Sequence, residues 1–276
     1  MFFSIIIPTC NRPHLLVHCL ERLRPGVQTL QGVAYELIVS DDSSGTETAE
    51  LIAEKFPFVQ WVAGPRRGPA ANRNNGARLA KGEWLVFLDD DCEPCNNLLL
   101  AYWEAIQNYQ QEYVFEGKII TNRLFQHAWE IAPLNVTGGK LWSCNFTINA
   151  AIFNQVKGFD ECFKYPHMED IDLSNRIKKY SEIIFVKQAY VTHPPRLLPN
   201  GIMLGLYHES DVYYHLKYQI KLTKLNLIKL IVNERIRRLL KNKFSLYTLK
   251  GFYYLVQELI VVQLNFHKWS KKYKNI

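Results

Sequence analysis

Strand-like and helix-like segments alternate without a break through the first 90 residues, and no other feature narrows the fold so far. Residues 2–7 form an apolar, β-rich run stopped by Pro8. In 13–23, Leu15, Leu16, Cys19, Leu20 and Leu23 recur at helical spacing, and Pro13 suits a helix start. The same reading gives strands at 36–40, 58–62 and 84–88 and helices at 46–55 and 68–80. Strands separated by helices of about ten residues are βαβ units, which predict a mostly parallel sheet. Ligands of such sheets bind beyond the carboxyl ends of the strands. The polar clusters Thr9-Cys10-Asn11, Asp41-Asp42 and Asp89-Asp90-Asp91 all fall there.

Further along, the pattern predicts a helix at 94–110, strands at 113–121 and 140–148, a helix at 168–180, and short strands at 183–186 and 190–191. Gly201 to Gly205 reads as a hinge into a helical tail, so the expected domains are 1–200 and 201–276. With 48% hydrophobic and 21% charged residues, disorder throughout is excluded. The net charge of +7 is unevenly spread: 217–276 holds 14 Lys and Arg against 2 acids, whereas 1–216 holds 19 against 24. A mildly acidic body with a basic tail points to an anionic partner surface. No uncharged apolar run reaches the length of a membrane span, and the start lacks the basic region of a signal peptide. Cys92-Glu93-Pro94-Cys95 has no second pair at zinc spacing, so reduced, cytosolic thiols are expected.

Asp89-Asp90-Asp91 is the sharpest chemical signal. Two unit charges 4 Å apart cost about 4 kcal/mol at an effective dielectric of 20. A hard divalent cation, Mg²⁺ or Mn²⁺, removes that cost, and such sites combine one or two carboxylates with substrate phosphates. Helix capping would explain one acid and leave two. In 68–76, Gly-Pro-Ala-Ala-Asn-Arg-Asn-Asn-Gly, Arg73 is able to pair with phosphate oxygens, although neither a P-loop nor a GxGxxG is present. Glu169 and Asp170 are candidates for a general base. Asp172 and Arg176 stand at i,i+4, which suits an intrahelical ion pair. His193 reads either as a structural histidine or as the imidazole that completes a metal shell.

Taken in order, Ser-Ile-Ile-Ile-Pro-Thr-Cys-Asn-Arg (4–12), Ile-Val-Ser-Asp-Asp-Ser-Ser (38–44), the 68–76 stretch, Gly-Glu-Trp-Leu-Val-Phe-Leu-Asp-Asp-Asp (82–91), Gly-Phe-Asp-Glu (158–161) and Glu-Asp-Ile-Asp-Leu (169–173) carry a resemblance. The chain resembles the family 2 glycosyltransferases of GT-A fold over about residues 2–196. The resemblance implies a Rossmann-like, mostly parallel mixed sheet with helices on both faces, here followed by a basic helical extension. It implies inverting transfer from a nucleotide diphosphate-sugar, UDP-linked by expectation, to an acceptor hydroxyl of a glycan or lipid-linked molecule. Thr9, Asn11 and Asp42 would hold the nucleoside, Arg73 the diphosphate, and Asp89 and Asp90 the donor's ribose. Asp91, with Asp89 and His193, would hold Mn²⁺ or Mg²⁺; Asp170, beside Glu169, would be the base. Two departures stand out: Ser43 where glycine is common, and Lys157-Gly158 in place of Gly-Gly.

The rival enzyme class is a nucleotidyltransferase acting on sugar phosphates. It would place a glycine-rich loop after the first strand, where this chain has Pro8-Thr9-Cys10-Asn11-Arg12-Pro13. A binding module without catalysis is the other rival, with the tail as its working part. The tail's aromatics are mixed with Leu, Ile and Val, which favours a membrane interface or packing over nucleic acid. The segment 251–267 is apolar but holds Glu258, which favours lying on a bilayer, or packing, over spanning it. The expected location is cytoplasmic, peripheral on the membrane face.

Overall fold

The computed structural model describes residues 2–240 and 246–274, so Met1 and the tail's Lys241 and Lys243 lie outside the described residues. Within the described part, the chain forms two compact units.

The first unit takes the chain up to Asn122, Pro133–Lys164 and Glu169–Pro194. Its strands are β1 (Phe3–Thr9), β2 (Tyr35–Asp41), β3 (Val59–Ala63), β4 (Trp84–Leu88), β5 (Glu93–Pro94), β6 (Val114–Ile120), β8 (Asn145–Asn149) and β9 (Ile183–Thr192), while β7 (Glu130–Ile131) belongs to the other unit. They make one sheet in the order β3-β2-β1-β4-β8-β6-β9-β5. The β3-β2-β1-β4 half is parallel, β8 runs antiparallel to both β4 and β6, and β9 is parallel to β6. This is a mixed, mostly parallel α/β sheet, as the resemblance implies. Both faces are buried, as a sheet wound by crossover helices requires. Phe3, Ile5, Ile7, Val86 and Leu88 face α1 (Pro13–Arg22), α2 (Glu47–Lys55) and α4 (Leu98–Asn108). Ile6, Leu85 and Phe87 face α3 (Pro69–Ala77), α5 (Ala150–Gln155) and α6 (Glu169–Ile177).

Several boundaries differ from expectation, each for a physical reason. Strand β1 continues through Pro8. Thr9 O accepts from Asp42 N on the β2 side, so by alternation the missing Pro8 N–H faces β4, where pairing has ended at Ile6. Pro94, read as a helix start, lies in β5 at the sheet's edge, where proline is tolerated. The two short strands before His193 are one strand, β9, and residues 187–189 have no partner in the β6 register. Residues 140–144 precede β8 rather than forming part of it. Gly68 opens α3 at φ +97, and a Cβ there would meet Lys164 O at 2.2 Å, so only glycine fits.

The second unit holds Arg123–Ala132, Tyr165–Met168 and the chain from Pro195. A two-stranded antiparallel ribbon pairs β7 with β10 (Arg196–Leu197). Helices α7 (Gly201–Lys217), α8 (Lys224–Leu240) and α9 (Leu246–Lys272) share a core that includes Val212, Leu227, Ile231, Leu255, Val262, Phe266 and Trp269. The expected hinge at Gly201 to Gly205 is instead the start of α7, capped by Asn200, whose side chain accepts from Met203 N. These glycines let two helices touch: a Cβ at Gly205 would stand 2.5 Å from the Val261 side chain. Glu258 does not face a bilayer or water. It is fully buried and ion-paired with Arg235 at 2.9 Å. No helix among the described residues is long and apolar enough to cross a membrane.

Candidate active site

The carboxyl ends of β1, β4 and β9, the second turn of α3 and the first turn of α6 deliver the polar residues of the first unit. Past Leu88, Asp90 is fully buried; Thr9 Oγ1 donates to its Oδ2 at 2.7 Å and Arg12 Nη2 pairs with its Oδ1 at 2.5 Å. The other guanidinium nitrogen of Arg12 reaches Asp91 Oδ2 at 3.2 Å. Arg73, buried under its own helix, donates to Asp89 Oδ1 at 2.7 Å and stands 3.5 Å from Glu169 Oε1, with its guanidinium over the Phe159 ring. Asp91 Oδ1 lies 3.2 Å from His193 Nε2. Mutual repulsion of the three aspartates is thus relieved first by two arginines, not by a cation alone as the sequence reading assumed. Five carboxylates (Asp89, Asp90, Asp91, Glu169, Asp170) still converge on two guanidiniums, and negative charge is left over.

That excess shows in the acidities. Burial, only partly offset by Arg12, pushes Asp90 up to about 7. Burial also raises Glu169 and Asp170 above ordinary carboxylates, with Arg73 pulling the other way. Asp170 as a residue is half-buried, yet its Oδ1 is enclosed and has no hydrogen-bond partner among the described residues; Oδ2 accepts from Ser143 N at 3.1 Å. A carboxylate fixed through one oxygen, with the other enclosed and without such a partner, is able to take a proton. Asp172 does something else. Buried two residues further on, it holds Arg176 at 2.8 Å, and Arg176 donates to Val156 O and Gly158 O, tying α6 to the turn after α5.

Asn11 and Asp42 are not drawn into the aspartate cluster. Asn11 N donates to Ser43 Oγ at 2.7 Å, and Asp42 Oδ1 accepts from Arg66 N at 2.7 Å. Ser43, the departure from glycine, adopts no positive φ and supplies that hydroxyl to the loop. The residue the sequence reading missed is Arg12. Its signal was its place, three positions past the end of β1, but nothing in the sequence ties residue 12 to residues 90 and 91.

Asp91, Cys92 and His193 bring one donor atom each within 4.8 Å of one another. The Cys92 thiol, raised by burial, is turned to Cys144 O and does not suit a hard cation. The carboxylate and imidazole do fit Mn²⁺. Asp89 stands apart from this group, held by Arg73. A cleft of 340 Å³ elsewhere in the unit is lined by Glu116, Lys178 and Glu182. Its one buried acid, Glu116, is spent on the Lys140 N–H and Asn135, so the strand ends are the better candidate.

Residues 4–143 match the family model described as glycosyl transferase family 2. The poly(ribitol-phosphate) beta-glucosyltransferase of Bacillus spizizenii is 31% identical over 124 residues, covering 43% of this chain and 19% of that protein. The GalNAc(5)-diNAcBac-PP-undecaprenol beta-1,3-glucosyltransferase of Campylobacter jejuni is 36% identical over 98 residues, covering 33% of this chain and 29% of that protein. Among solved structures, S. aureus TarS 1-349 in complex with UDP-GlcNAc superposes with a TM-score of 0.56 at 16% identity, covering 97% of this chain and 92% of that one.

Proposed function

The chain belongs to glycosyl transferase family 2, and from that premise we propose that it is a cation-assisted, inverting transferase that moves a sugar from a UDP-linked donor to the hydroxyl of a glycan or lipid-linked acceptor. The observation that carries the reading is Arg73, which joins Asp89 at the end of β4 to Glu169 at the start of α6. A donor-binding acid and the acid next to the base thereby meet at one guanidinium. The UDP assignment draws on the bound nucleotide sugar of the S. aureus neighbour, and the lipid-linked acceptor on the name of the Campylobacter relative.

Asp91 and His193 would hold Mn²⁺ or Mg²⁺, which when bound supplies Lewis-acid stabilisation to the departing diphosphate. Arg73 presents fixed positive charge for the diphosphate oxygens. Thr9, Asn11 and Asp42 line the ends of β1 and β2 for the nucleoside, and Asp89 accepts from the ribose, while Asp90, predicted to share that role, is fully buried and holds Thr9 and Arg12 in place. Asp170 takes the acceptor's hydroxyl proton. The acceptor oxygen then bonds to the anomeric carbon as the bond from that carbon to the diphosphate oxygen breaks on the opposite face. A single displacement inverts the carbon and needs no enzyme nucleophile. The test is a screen of UDP- and GDP-sugars with Mn²⁺, read by isothermal calorimetry and by release of the nucleotide. Binding and turnover with a UDP-sugar are expected; binding of no nucleotide sugar would overturn the proposal, and inorganic pyrophosphate release from a nucleoside triphosphate would favour a nucleotidyltransferase.

We place the acceptor's membrane on the second unit. Leu249, Val256, Ile260 and Leu264 are all exposed along α9, at the spacing of one helix face, with Lys268 and Lys271 exposed at its end. An apolar face flanked by lysines suits the interface of an anionic bilayer, where each lysine contributes about 1 kcal/mol. The chain should float with phosphatidylserine vesicles and be released by high salt, whereas Ile260→Glu with Leu264→Glu should not float. Equal flotation of both proteins, or of neither, would remove the membrane from the reading.

A further inference from the structure

The second unit contains a group of side chains that sugar transfer does not use. Its members come from the segment before α6 and from α7. His167 Nε2 lies 2.9 Å from Asp211 Oδ2, and His208 Nδ1 lies 2.7 Å from the same oxygen. His208 and Asp211 stand at i,i+3 on α7 and so share a face. The donor atoms of all three residues fall within 4.8 Å of one another. We propose that His167, His208 and Asp211 form a second metal site, which takes Zn²⁺ through His167 Nε2, His208 Nδ1 and Asp211 Oδ2.

Three features favour an ion over a plain hydrogen-bonded triad. Both imidazoles converge on a single carboxylate oxygen instead of dividing between its two. With bonds of about 2.0–2.1 Å, tetrahedral zinc sets its ligand atoms roughly 3.3 Å apart, a few tenths of an ångström beyond the two nitrogen–oxygen distances here. The other ring nitrogen of His208 is already committed: Nε2 lies 2.9 Å from Glu258 Oε1, and Glu258 is fully buried and gripped by Arg235 through Nε at 3.0 Å and Nη2 at 2.9 Å. A metal-bound histidine characteristically donates its far N–H to a carboxylate, which fixes the ring and turns the near nitrogen's lone pair to the ion. Finally, His167 is partly exposed, with 37% of its side chain accessible, so a fourth position is open to water. Two imidazoles and one carboxylate form a borderline donor set that suits zinc better than a hard cation such as Mg²⁺. On binding, Zn²⁺ replaces the proton that His208 Nδ1 shares with Asp211, which leaves to solvent, and the proton His167 Nε2 shares with the same oxygen is displaced as well, leaving that ring neutral with its proton on Nδ1.

The test uses the full chain carrying Asp91→Asn, so that the first unit's carboxylate is out of the count, after chelator treatment and readdition of Zn²⁺. One equivalent of Zn²⁺ should be bound by mass spectrometry of metal content, and Co²⁺ in its place should give the visible absorption of a low-symmetry, four-coordinate ion. His167→Ala, a change at a partly exposed residue, should leave the protein folded by circular dichroism while weakening Zn²⁺ binding at least tenfold. Glu258→Gln should weaken it by about 10–100-fold, the scale of losses on removing such a supporting carboxylate. Failure of the folded parent to bind Zn²⁺, or equal Zn²⁺ affinity in parent and His167→Ala, would overturn the site and leave a hydrogen-bonded triad. None of these readouts depends on sugar transfer, so the result stands apart from that of the donor screen.

Discussion

Both units bury carboxylates against arginines, but the books balance in only one of them. In the second unit Glu258 meets His208 and Arg235, and despite burial it is held below its ordinary acidity range by those partners. In the first unit the acids outnumber the arginines, and Asp90, Glu169 and Asp170 are all raised. The sign of the shift follows the balance of partners. A buried acid with a complete set of partners is a fastener whose loss costs stability. Buried acids left in excess where strands end are costly to the fold, and they are what a cation, a diphosphate-bound metal or an acceptor proton would relieve.

The most forceful way to break this comparison is Asp91→Asn. With its charged ligand gone, turnover should fall by about 10³-fold or more, the worth of several kcal/mol of transition-state stabilisation, and Mn²⁺-dependent donor binding should weaken with it. Thermal stability should hold or rise, since one of five crowded negative charges has been removed. Undiminished, Mn²⁺-stimulated activity in this variant would sink the metal assignment.

Asp170→Asn sharpens the same point. Donor affinity should be kept while the chemical step slows by about 10²–10⁴-fold, the range for a general base. A base works only when ionised, and burial raises this carboxyl, so parental activity should fall with decreasing pH through a limb lying above the ordinary aspartate range. Stability runs the opposite way. An acid whose folded pKa is raised binds more protons folded than unfolded, so its contribution declines as pH rises. Asp170→Asn should therefore melt above the parent at pH 8, and the gain should vanish below about pH 4, where the aspartate is neutral in both the folded and the unfolded chain. Asp172→Ala, two residues away, should lower the melting point instead, because it strips Arg176 of its buried partner. A dead but folded Asp172→Ala beside an active Asp170→Asn would reverse the two roles.

In the second unit, Glu258→Gln should cost about 3–5 kcal/mol of stability, the usual penalty for breaking a buried ion pair, and should do so with donor binding retained. Denaturant unfolding of the parent and variant measures the first, calorimetry with a UDP-sugar the second. A loss under 1 kcal/mol would mean that this unit's charges are as loosely satisfied as those of the first.

How much of this was legible beforehand follows the same division. Strands buried on both faces, such as Trp84–Leu88, announce themselves by unbroken apolar runs, and the polar clusters at their ends locate the site without any long-range knowledge. Local rules failed where a tertiary partner overrode them. Pro94 reads as a helix start until β9 supplies an edge to pair with, and the gap in β9 reads as two strands until β6 bridges it. The α5 helix is only six residues long, too short for its periodicity to register, although Asn149 caps it. Gly201 and Gly205 suggest a hinge because sequence shows the missing side chains and not the helix they admit. Arg12 and Glu258 were beyond reach for one reason: the charge that decides the role of each lies tens of residues away, at 90 and 91 for one and at 235 for the other.

The smallest effect predicted tests a departure from the family pattern. Lys157 stands where the resemblance leads one to expect glycine, and it has φ +62, the left-handed region that a side chain disfavours by about 1–2 kcal/mol. It follows Val156, the C-cap of α5; there Lys157 N donates to Asn154 O and Gly158 N to Phe153 O, and this is the position at which helices commonly close on a left-handed residue. Lys157→Gly removes the strain but gives the unfolded chain more freedom, which returns part of the gain. The net should be a stabilisation of about 0.5–1 kcal/mol, read as a higher denaturant midpoint at unchanged slope. Gly158→Ala, next along, should do the reverse, since its Cβ would sit 2.6 Å from Asn74 Oδ1, the atom that accepts from Phe159 N. Because Arg176 also donates to the carbonyl of Gly158, the loss there should couple to Asp172→Ala in a double-mutant cycle, whereas the Lys157→Gly gain should simply add. A destabilised Lys157→Gly would show that the lysine makes up its backbone strain through contacts of its own.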